Sequence, residues 1–340
     1  MRSQWVRGCR WSIIAVWLGL ILGCSSSEPP EDVVVCQSEE WQRAQVPKIL
    51  CTTAQVADLA AAIAGNRASV TVLIIGDLDP HSYQLVKGDD EKLQSAQLVI
   101  ASGLGLEHGP SLQSFLESSP KVLSLGQELL KNHADEILRL DGQIDPHVWL
   151  DVHLWSETTP AIERALIQLD AAHAEEFKER ALELRRQLAE LDGEILTQLQ
   201  AVPEEKRYLV TSHDAFNYFV RRYLATEAER SLETWPERLC APEGLAPEGQ
   251  LSLTDIKRVI EFCAKNHVQV LFPESNVSQA ALRKVLHAGQ SRGLDLRLAR
   301  SALYGDTMGS AWGCGRRHAY QSMMEDNMRV LVSEWAEGSL

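Results

Sequence analysis

The sequence predicts an α/β protein of two lobes, each a parallel sheet flanked by helices, bridged by one long rigid helix. Three observations lead there. In the first half, short continuous apolar runs alternate with amphipathic stretches, as expected for strands buried on both faces. The second half repeats the scheme. Between them lies a proline-free stretch with one apolar stripe at helical spacing. A chain of 340 residues is also more than one hydrophobic core usually serves.

The N-terminus reads as a targeting segment. Arg2, Arg7 and Arg10 precede an apolar stretch, Trp11 to Leu22, that is too short for a comfortable membrane span. It closes in Ile21-Leu22-Gly23-Cys24, which resembles a bacterial lipobox. By that resemblance residues 1–23 are a lipoprotein signal peptide and Cys24 is the lipidated first residue of the mature chain. An ordinary secretion signal with an incidental cysteine is the alternative. Residues 24–46, opening with Ser25-Ser26-Ser27-Glu28-Pro29-Pro30-Glu31-Asp32, read as an extended tether. No later stretch is long and apolar enough to cross a bilayer.

Without residues 1–23 the chain carries 30 basic against 47 acidic side chains, a net of −17, since the segment removed holds three arginines. That balance argues against nucleic acid as a partner and agrees with attracting cations. Beyond Cys24 stand Cys36, Cys51, Cys240, Cys263 and Cys314, with no CxxC pair and hence no cysteine zinc site. An oxidising compartment permits disulfides, and Cys240 with Cys314, both in loop-like sequence, is the first pair to test. Cys51 and Cys263 fall in apolar patterns, where a buried free thiol is expected.

The first lobe spans residues 47–172. Its predicted elements are a strand at Lys48–Thr52, a helix near Ala54–Ala64 and a strand at Val70–Ile75. A helix near Asp90–Ser95, the strand Leu98–Ala101, a helix near Pro110–Glu117 and the strand Val122–Leu125 follow. Residues 173–202 form the bridge, with Phe177, Leu184, Leu188, Leu191, Ile195 and Leu199 on the apolar stripe of a helix from about Ala174 to Gln200. Glu179, Glu183, Arg185 and Arg186 take the wetter side, and Gly193 is a weak point for a kink. A coiled-coil dimer arm is the alternative use of such a stripe.

The second lobe, residues 203–340, opens with the strand Tyr208–Thr211 and a helix near Ala215–Tyr223. The Glu/Pro-rich stretch Thr226–Gln250 reads as a long loop insertion. Then come a helix at Leu253–Lys265, the strand Val268–Phe272, a helix near Gln279–Gly289, the strand Leu294–Ala299 and a terminal helix at Ala319–Ala336.

Asp-Pro-His occurs twice, as Asp79-Pro80-His81 and Asp145-Pro146-His147, each at a turn after strand-like sequence. His213 follows the apolar run Leu209-Val210, and Asp306 follows Leu303-Tyr304-Gly305. Parallel sheets place ligand sites beyond the carboxyl ends of their strands. Three imidazoles and a carboxylate, two from each lobe, are therefore expected to meet in the inter-lobe cleft as a first-row transition-metal site. The prolines stiffen the turns, and Asp79 and Asp145 are each placed to accept the free ring N–H of the histidine two residues on. His108 is the reserve candidate, whereas His133, His153, His173, His267 and His287 read as ordinary loop or helix residues.

Together these motifs resemble the substrate-binding lipoproteins of zinc and manganese ABC importers. The segments that carry the resemblance are Asp77-Leu78-Asp79-Pro80-His81-Ser82-Tyr83, Gly103-Leu104-Gly105-Leu106-Glu107 and Asp145-Pro146-His147-Val148-Trp149-Leu150-Asp151. Ser212-His213-Asp214-Ala215-Phe216, Phe272-Pro273-Glu274 and Leu303-Tyr304-Gly305-Asp306 complete it. The family's metal ligands map onto His81, His147, His213 and Asp306. A histidine at the third position leans toward Zn2+ over Mn2+. The chain lacks the histidine-rich loop of many zinc-specific members, having only Asn132-His133-Ala134-Asp135 there. Thr226–Gln250 and Trp312-Gly313-Cys314-Gly315 also depart from the common pattern.

The resemblance implies a lipid-anchored, non-enzymatic component of the bacterial cell envelope that captures a divalent metal and delivers it to a permease. With no GxxxxGK[ST] loop and no later membrane span, the ATPase and the channel are separate chains. One rival is an envelope zinc hydrolase, which needs an open coordination position and a base such as H-E-x-x-H supplies; that motif is missing. The other is a surface adhesin with a structural metal.

Overall fold

The computed structural model describes residues 38–140, 142–246, 251–309 and 319–337. The signal segment, Cys24, Cys36 and the Trp312–Gly315 segment lie outside them. Of the stretch 24–46 expected to be a tether, residues 24–37 also lie outside the described residues, and the part described is not extended throughout. Ser38–Arg43 (α1) is helical, and Trp41 is buried with its indole N–H on Ser69 O at 3.0 Å.

In the first lobe, β1 (Lys48–Cys51), β2 (Ser69–Val72), β3 (Leu98–Ala101) and β4 (Val122–Ser124) form a four-stranded parallel sheet in the order β2-β1-β3-β4. The helices α2 (Ala54–Ala64), α3 (Asp89–Ser95), α4 (Pro110–Ser118) and α5 (Leu125–Asn132) connect or follow these strands. β1 through β3 are buried or nearly so along their whole length, which is why their sequence is continuously apolar instead of alternating. β2 stops at Val72, short of the expected Ile75, because the chain turns out of the sheet and leaves Ile75 62% exposed. A small hairpin, β5 (Arg139–Leu140) with β6 (Gln143–Ile144), leads into Asp145. Then come α6 (Val152–Ser156) and α7 (Thr159–Leu169).

The bridging helix α8 runs unbroken over Ala174–Gln200, about 40 Å at 1.5 Å per residue. Gly193 does not kink it; Thr197 Oγ1 donates to Gly193 O at 2.7 Å within the continuous helix. Phe177, Ala181, Leu184, Leu188, Leu191, Ile195 and Leu199 are buried, so the stripe faces this chain's own core. That core is one apolar cluster containing residues of both lobes, from Ile49 and Val70 to Phe272 and Met324. The coiled-coil alternative would leave the stripe unpartnered within the chain. At the helix's second-lobe end, buried Asp192 pairs with Arg222 and accepts the Tyr223 hydroxyl at 2.9 Å.

The second lobe holds two parallel pairs, β7 (Leu209–Val210) with β8 (Leu239–Cys240) and β9 (Val270–Leu271) with β10 (Arg297–Leu298). They are joined by the N–H of Phe272 donating to Val210 O at 2.8 Å, so the lobe is again a parallel sheet. The helices are α9 (Asn217–Phe219), α10 (Glu227–Ser231), α11 (Leu253–Lys265), α12 (Ala280–Gln290) and α13 (Ala319–Glu337).

Three expectations are corrected here. The helix predicted at Ala215–Tyr223 is α-helical for three residues and then becomes a π-turn over Val220–Leu224. The wider turn lets both Arg222 and Tyr223 reach Asp192. The described part of Thr226–Gln250 is not a loop insertion, since it contains α10 and the sheet strand β8. Its Arg238 is buried over the Tyr208 ring, bonded to Glu229 at 2.6 Å and Glu204 at 3.2 Å. Lastly, Cys240, whose expected partner Cys314 lies outside the described residues, is a free thiol buried in the core cluster that also holds Cys263 of α11, because it closes a core strand instead of lying in a loop. Cys51 and Cys263 are likewise free and buried.

Candidate metal centre

His81, His147, His213 and Asp306 come together, each offering one ligand atom within 4.8 Å of the others, and all four are buried. His81 Nε2 and His147 Nε2 are 3.2 Å apart. Asp306 Oδ1 stands 3.3 Å from His147 Nε2, and Oδ2 stands 3.3 Å from His213 Nε2 and 3.9 Å from His81 Nε2.

Local chemistry fixes each arm differently. In Asp145-Pro146-His147, Asp145 Oδ1 accepts both the His147 backbone N–H at 2.9 Å and the ring Nδ1–H at 2.7 Å. The ring is thereby turned with Nε2 toward the cluster, and its tautomer is selected. The Tyr218 hydroxyl donates to Asp145 O at 3.0 Å and keeps the turn in place. Asp79 repeats only half of this. Its Oδ1 accepts the His81 backbone N–H at 2.9 Å and Oδ2 accepts the Ser82 hydroxyl at 2.7 Å, so it shapes the turn and does not receive the ring N–H expected of it.

His213 leans on Glu274, a residue whose role the sequence left unassigned. Glu274 Oε1 accepts the backbone N–H groups of Ser212 and His213 at 3.0 and 2.9 Å, and Oε2 lies 2.8 Å from His213 Nδ1. Its position just after β9, in Phe272-Pro273-Glu274, was the available signal. Gly305 permits the arrangement, because a Cβ there would lie 2.4 Å from Glu274 Oε2. Asp306 is tied to the first lobe by Gln55 Nε2 on its carbonyl at 2.8 Å and by the Trp149 indole on Gly305 O at 2.8 Å. Asn276 Nδ2 reaches its Oδ2 at 3.3 Å. Glu107, also unassigned, accepts the N–H groups of Ser102 and Gly103 and the Thr52 hydroxyl, which shapes the turn after β3.

The electrostatics follow from burial and pairing. Burial pushes His81 down to about 3, against the opposing pull of Asp306. Burial would lower His147 too, but Asp145 and then Asp306 outweigh it and push it up to about 9. His213 is raised well above the usual imidazole range, with Glu274 and Asp306 overcoming burial. Asp306 is held well below the carboxylate range by His213 and His147, despite burial. His213 Nε2 and Asp306 Oδ1 lack an aligned hydrogen-bond partner, as do His213 Nδ1 and Glu274 Oε2, whose 2.8 Å contact is a close ion-pair approach and not an aligned hydrogen bond; such buried polar atoms are expensive unless something else coordinates them.

The other histidines stay outside the cluster. The His108 ring lies 5.7 Å from that of His81, but its Nδ1 is directed to Gly105 O at 3.2 Å. His133 pairs with Glu136, His173 pairs with Asp170, and His153 is exposed.

Two parallel-sheet lobes along a long helix, with three imidazoles and a carboxylate converging as a metal site would require, fit a metal-binding protein of the periplasmic solute-binding class. The family model of the zinc-uptake complex component A, periplasmic, matches residues 49–334, and the chain belongs to that family. It is 41% identical over 286 residues to the metal-binding protein YtgA of Chlamydia trachomatis, covering 84% of this chain and 85% of that one. It is 29% identical to the manganese-binding lipoprotein MntA of Bacillus subtilis, over 84% of this chain and 88% of that one. The crystal structure of Fe(III)-bound YtgA from Chlamydia trachomatis superposes with a TM-score of 0.79 at 39% identity, covering 84% of this chain and 97% of YtgA. The periplasmic zinc-binding protein TroA from Treponema pallidum gives 0.76 at 28% identity, covering 85% and 99%.

Proposed function

We propose that this chain captures a divalent transition metal outside the cytoplasmic membrane and hands it to a separate permease driven by a separate ATPase. The ligands are His81, His147, His213 and Asp306. The observation that carries the reading is the meeting of their four ligand atoms within 4.8 Å, buried, from both halves of the chain. Asp145 and Glu274 orient two of the imidazoles from behind. Four protein donors leave no position for substrate chemistry, which favours capture over hydrolysis. Cys24 carries the lipid once residues 1–23 are removed, and the lobes take residues 47–172 and 203–340 on either side of the bridge.

Zinc is the favoured cargo, with manganese the alternative. Three nitrogens and one oxygen suit a borderline ion, whereas manganese prefers more oxygen. Fe(III) is a second reading, raised by the iron-bound YtgA structure, but a harder ion gains less from three imidazoles. Elemental analysis of the purified protein beside His213→Ala tests this. Zinc at one equivalent, lost in the variant, supports the reading; iron in its place supports the second. Metal uptake by cells lacking the protein, unchanged from the parent strain, would refute delivery.

A further inference from the structure

The four ligands are not equally held. His147 and His213 each lean on a buried carboxylate, and Asp306 is tied through Gln55 and Asn276. His81 lacks that support, because Asp79 takes its backbone N–H and not its ring. Its Nε2 also stands farther from Asp306 than those of His147 and His213, at 3.9 Å against 3.3 Å.

The segment leading to His81 is loosely tied as well. Ile74 still donates to Thr52 O at 3.0 Å, but Ile75, Gly76, Asp77 and Leu78 are exposed. Gly76 sits at φ 66° with open space where a Cβ would be. This strap is fastened to the opposite lobe by the Thr307 hydroxyl donating to Asp77 Oδ1 at 3.3 Å. Thr307 adjoins Asp306 in sequence and is buried. Beneath the strap a small solvent-connected hollow is lined by Thr53, Gln55, Gly76, Leu78, Pro80 and Asp306, and the Asp306 carboxylate at its inner end is itself fully buried.

We propose that residues 75–80 are the gate for metal exchange, latched by the Asp77–Thr307 hydrogen bond. Opening the latch frees the strap, withdraws His81 first and admits water to the ion past Asp306. His147, His213 and Asp306 remain as a preformed half-site. This rests on reading the four residues as ligands and adds which of them leaves first and what restrains it.

The test is zinc release from the loaded full-length protein into excess chelator, followed by stopped flow. Asp77→Ala and Thr307→Val are expected to release about tenfold faster, as the loss of one hydrogen bond to a charged group implies. Asp77→Asn keeps the Oδ1 acceptor and is expected to release at nearly the parent rate. Asp77 is exposed, so its replacement leaves the core intact, and unchanged metal-free melting confirms this for each variant. Parent-like release from Asp77→Ala and Thr307→Val, or Asp77→Asn as fast as Asp77→Ala, overturns the gate. A His213→Ala protein that still binds zinc at parent affinity removes the ligand reading itself. Loss of zinc there, with parent-like release from Asp77→Ala, removes only the gate.

Discussion

Metal capture at this centre should expel protons, and the apparent affinity should climb steeply with pH. A ligating imidazole must present a bare Nε2. His81, pushed down to about 3 by burial, meets that requirement at any physiological pH, and Asp306 is already ionised. His147 does not, because Asp145 and Asp306, against burial, push it up to about 9 in the metal-free protein. At pH 7 it is therefore largely protonated, and the ion must displace that proton, a handicap on the order of 100-fold in apparent affinity. His213 is displaced in the same direction and adds a second proton. Raising the pH from 6 to 9 should therefore strengthen binding with a slope between one and two in log K per pH unit. Titration calorimetry at pH 7 in buffers of different ionisation enthalpy counts the protons, and chelator competition gives the slope. Fewer than half a proton released per ion, with affinity flat from pH 6 to 9, would show that the metal does not displace protons from these imidazoles.

The same shift gives the metal-free protein an opposite pH dependence. A folded-state value near 9, above the usual imidazole value near 6.5, contributes stability that is fully present below about 6.5 and lost as pH rises through 9. The metal-free melting temperature should fall over that window, by up to about 3 kcal/mol of stability, while the metal-loaded protein does not follow; calorimetric melts at pH 6.5 and 9 decide. Asp145→Asn weakens the anchor of His147 and should reduce metal affinity about 10- to 100-fold, whereas parent affinity by competition titration would make Asp145 merely structural. Gly305→Ala places a methyl carbon 2.4 Å from Glu274 Oε2 and should push Glu274 off His213. A loss of affinity greater than that of Asp145→Asn, read in the same titration, is the expected result, and unchanged affinity would mean that the turn yields without moving Glu274.

The two copies of Asp-Pro-His show where local sequence stops being informative. Both aspartates accept the backbone N–H of the following histidine, at 2.9 Å in each case, as the shared tripeptide requires. Only Asp145 also takes the ring, because its turn is sealed from water beneath the Tyr218 hydroxyl, 73 residues away in the chain. The residues from Thr226 to Ala246 taught the same lesson. Their Glu/Pro-rich composition resembles a loop, yet Leu239 and Cys240 pair with Leu209 and Val210, an alignment no local pattern announces.

What the sequence determined by itself was periodic or covalently local. It set the buried strands of the first sheet, the bridging helix at Ala174–Gln200, and the placing of His81, His147, His213 and Asp306 after strands or at turns. Each depends on side-chain spacing within a few residues, where backbone geometry converts sequence directly into a face or a turn. The tertiary structure alone decided which groups stand behind those four. Glu274 on His213, Gln55 on Asp306 and Thr307 on Asp77 join residues 61, 251 and 230 positions apart. The first forms only once the second lobe has folded and the other two only once the lobes have met, because the orientation of a buried polar side chain is fixed by its folded neighbours and not by its own stretch of chain.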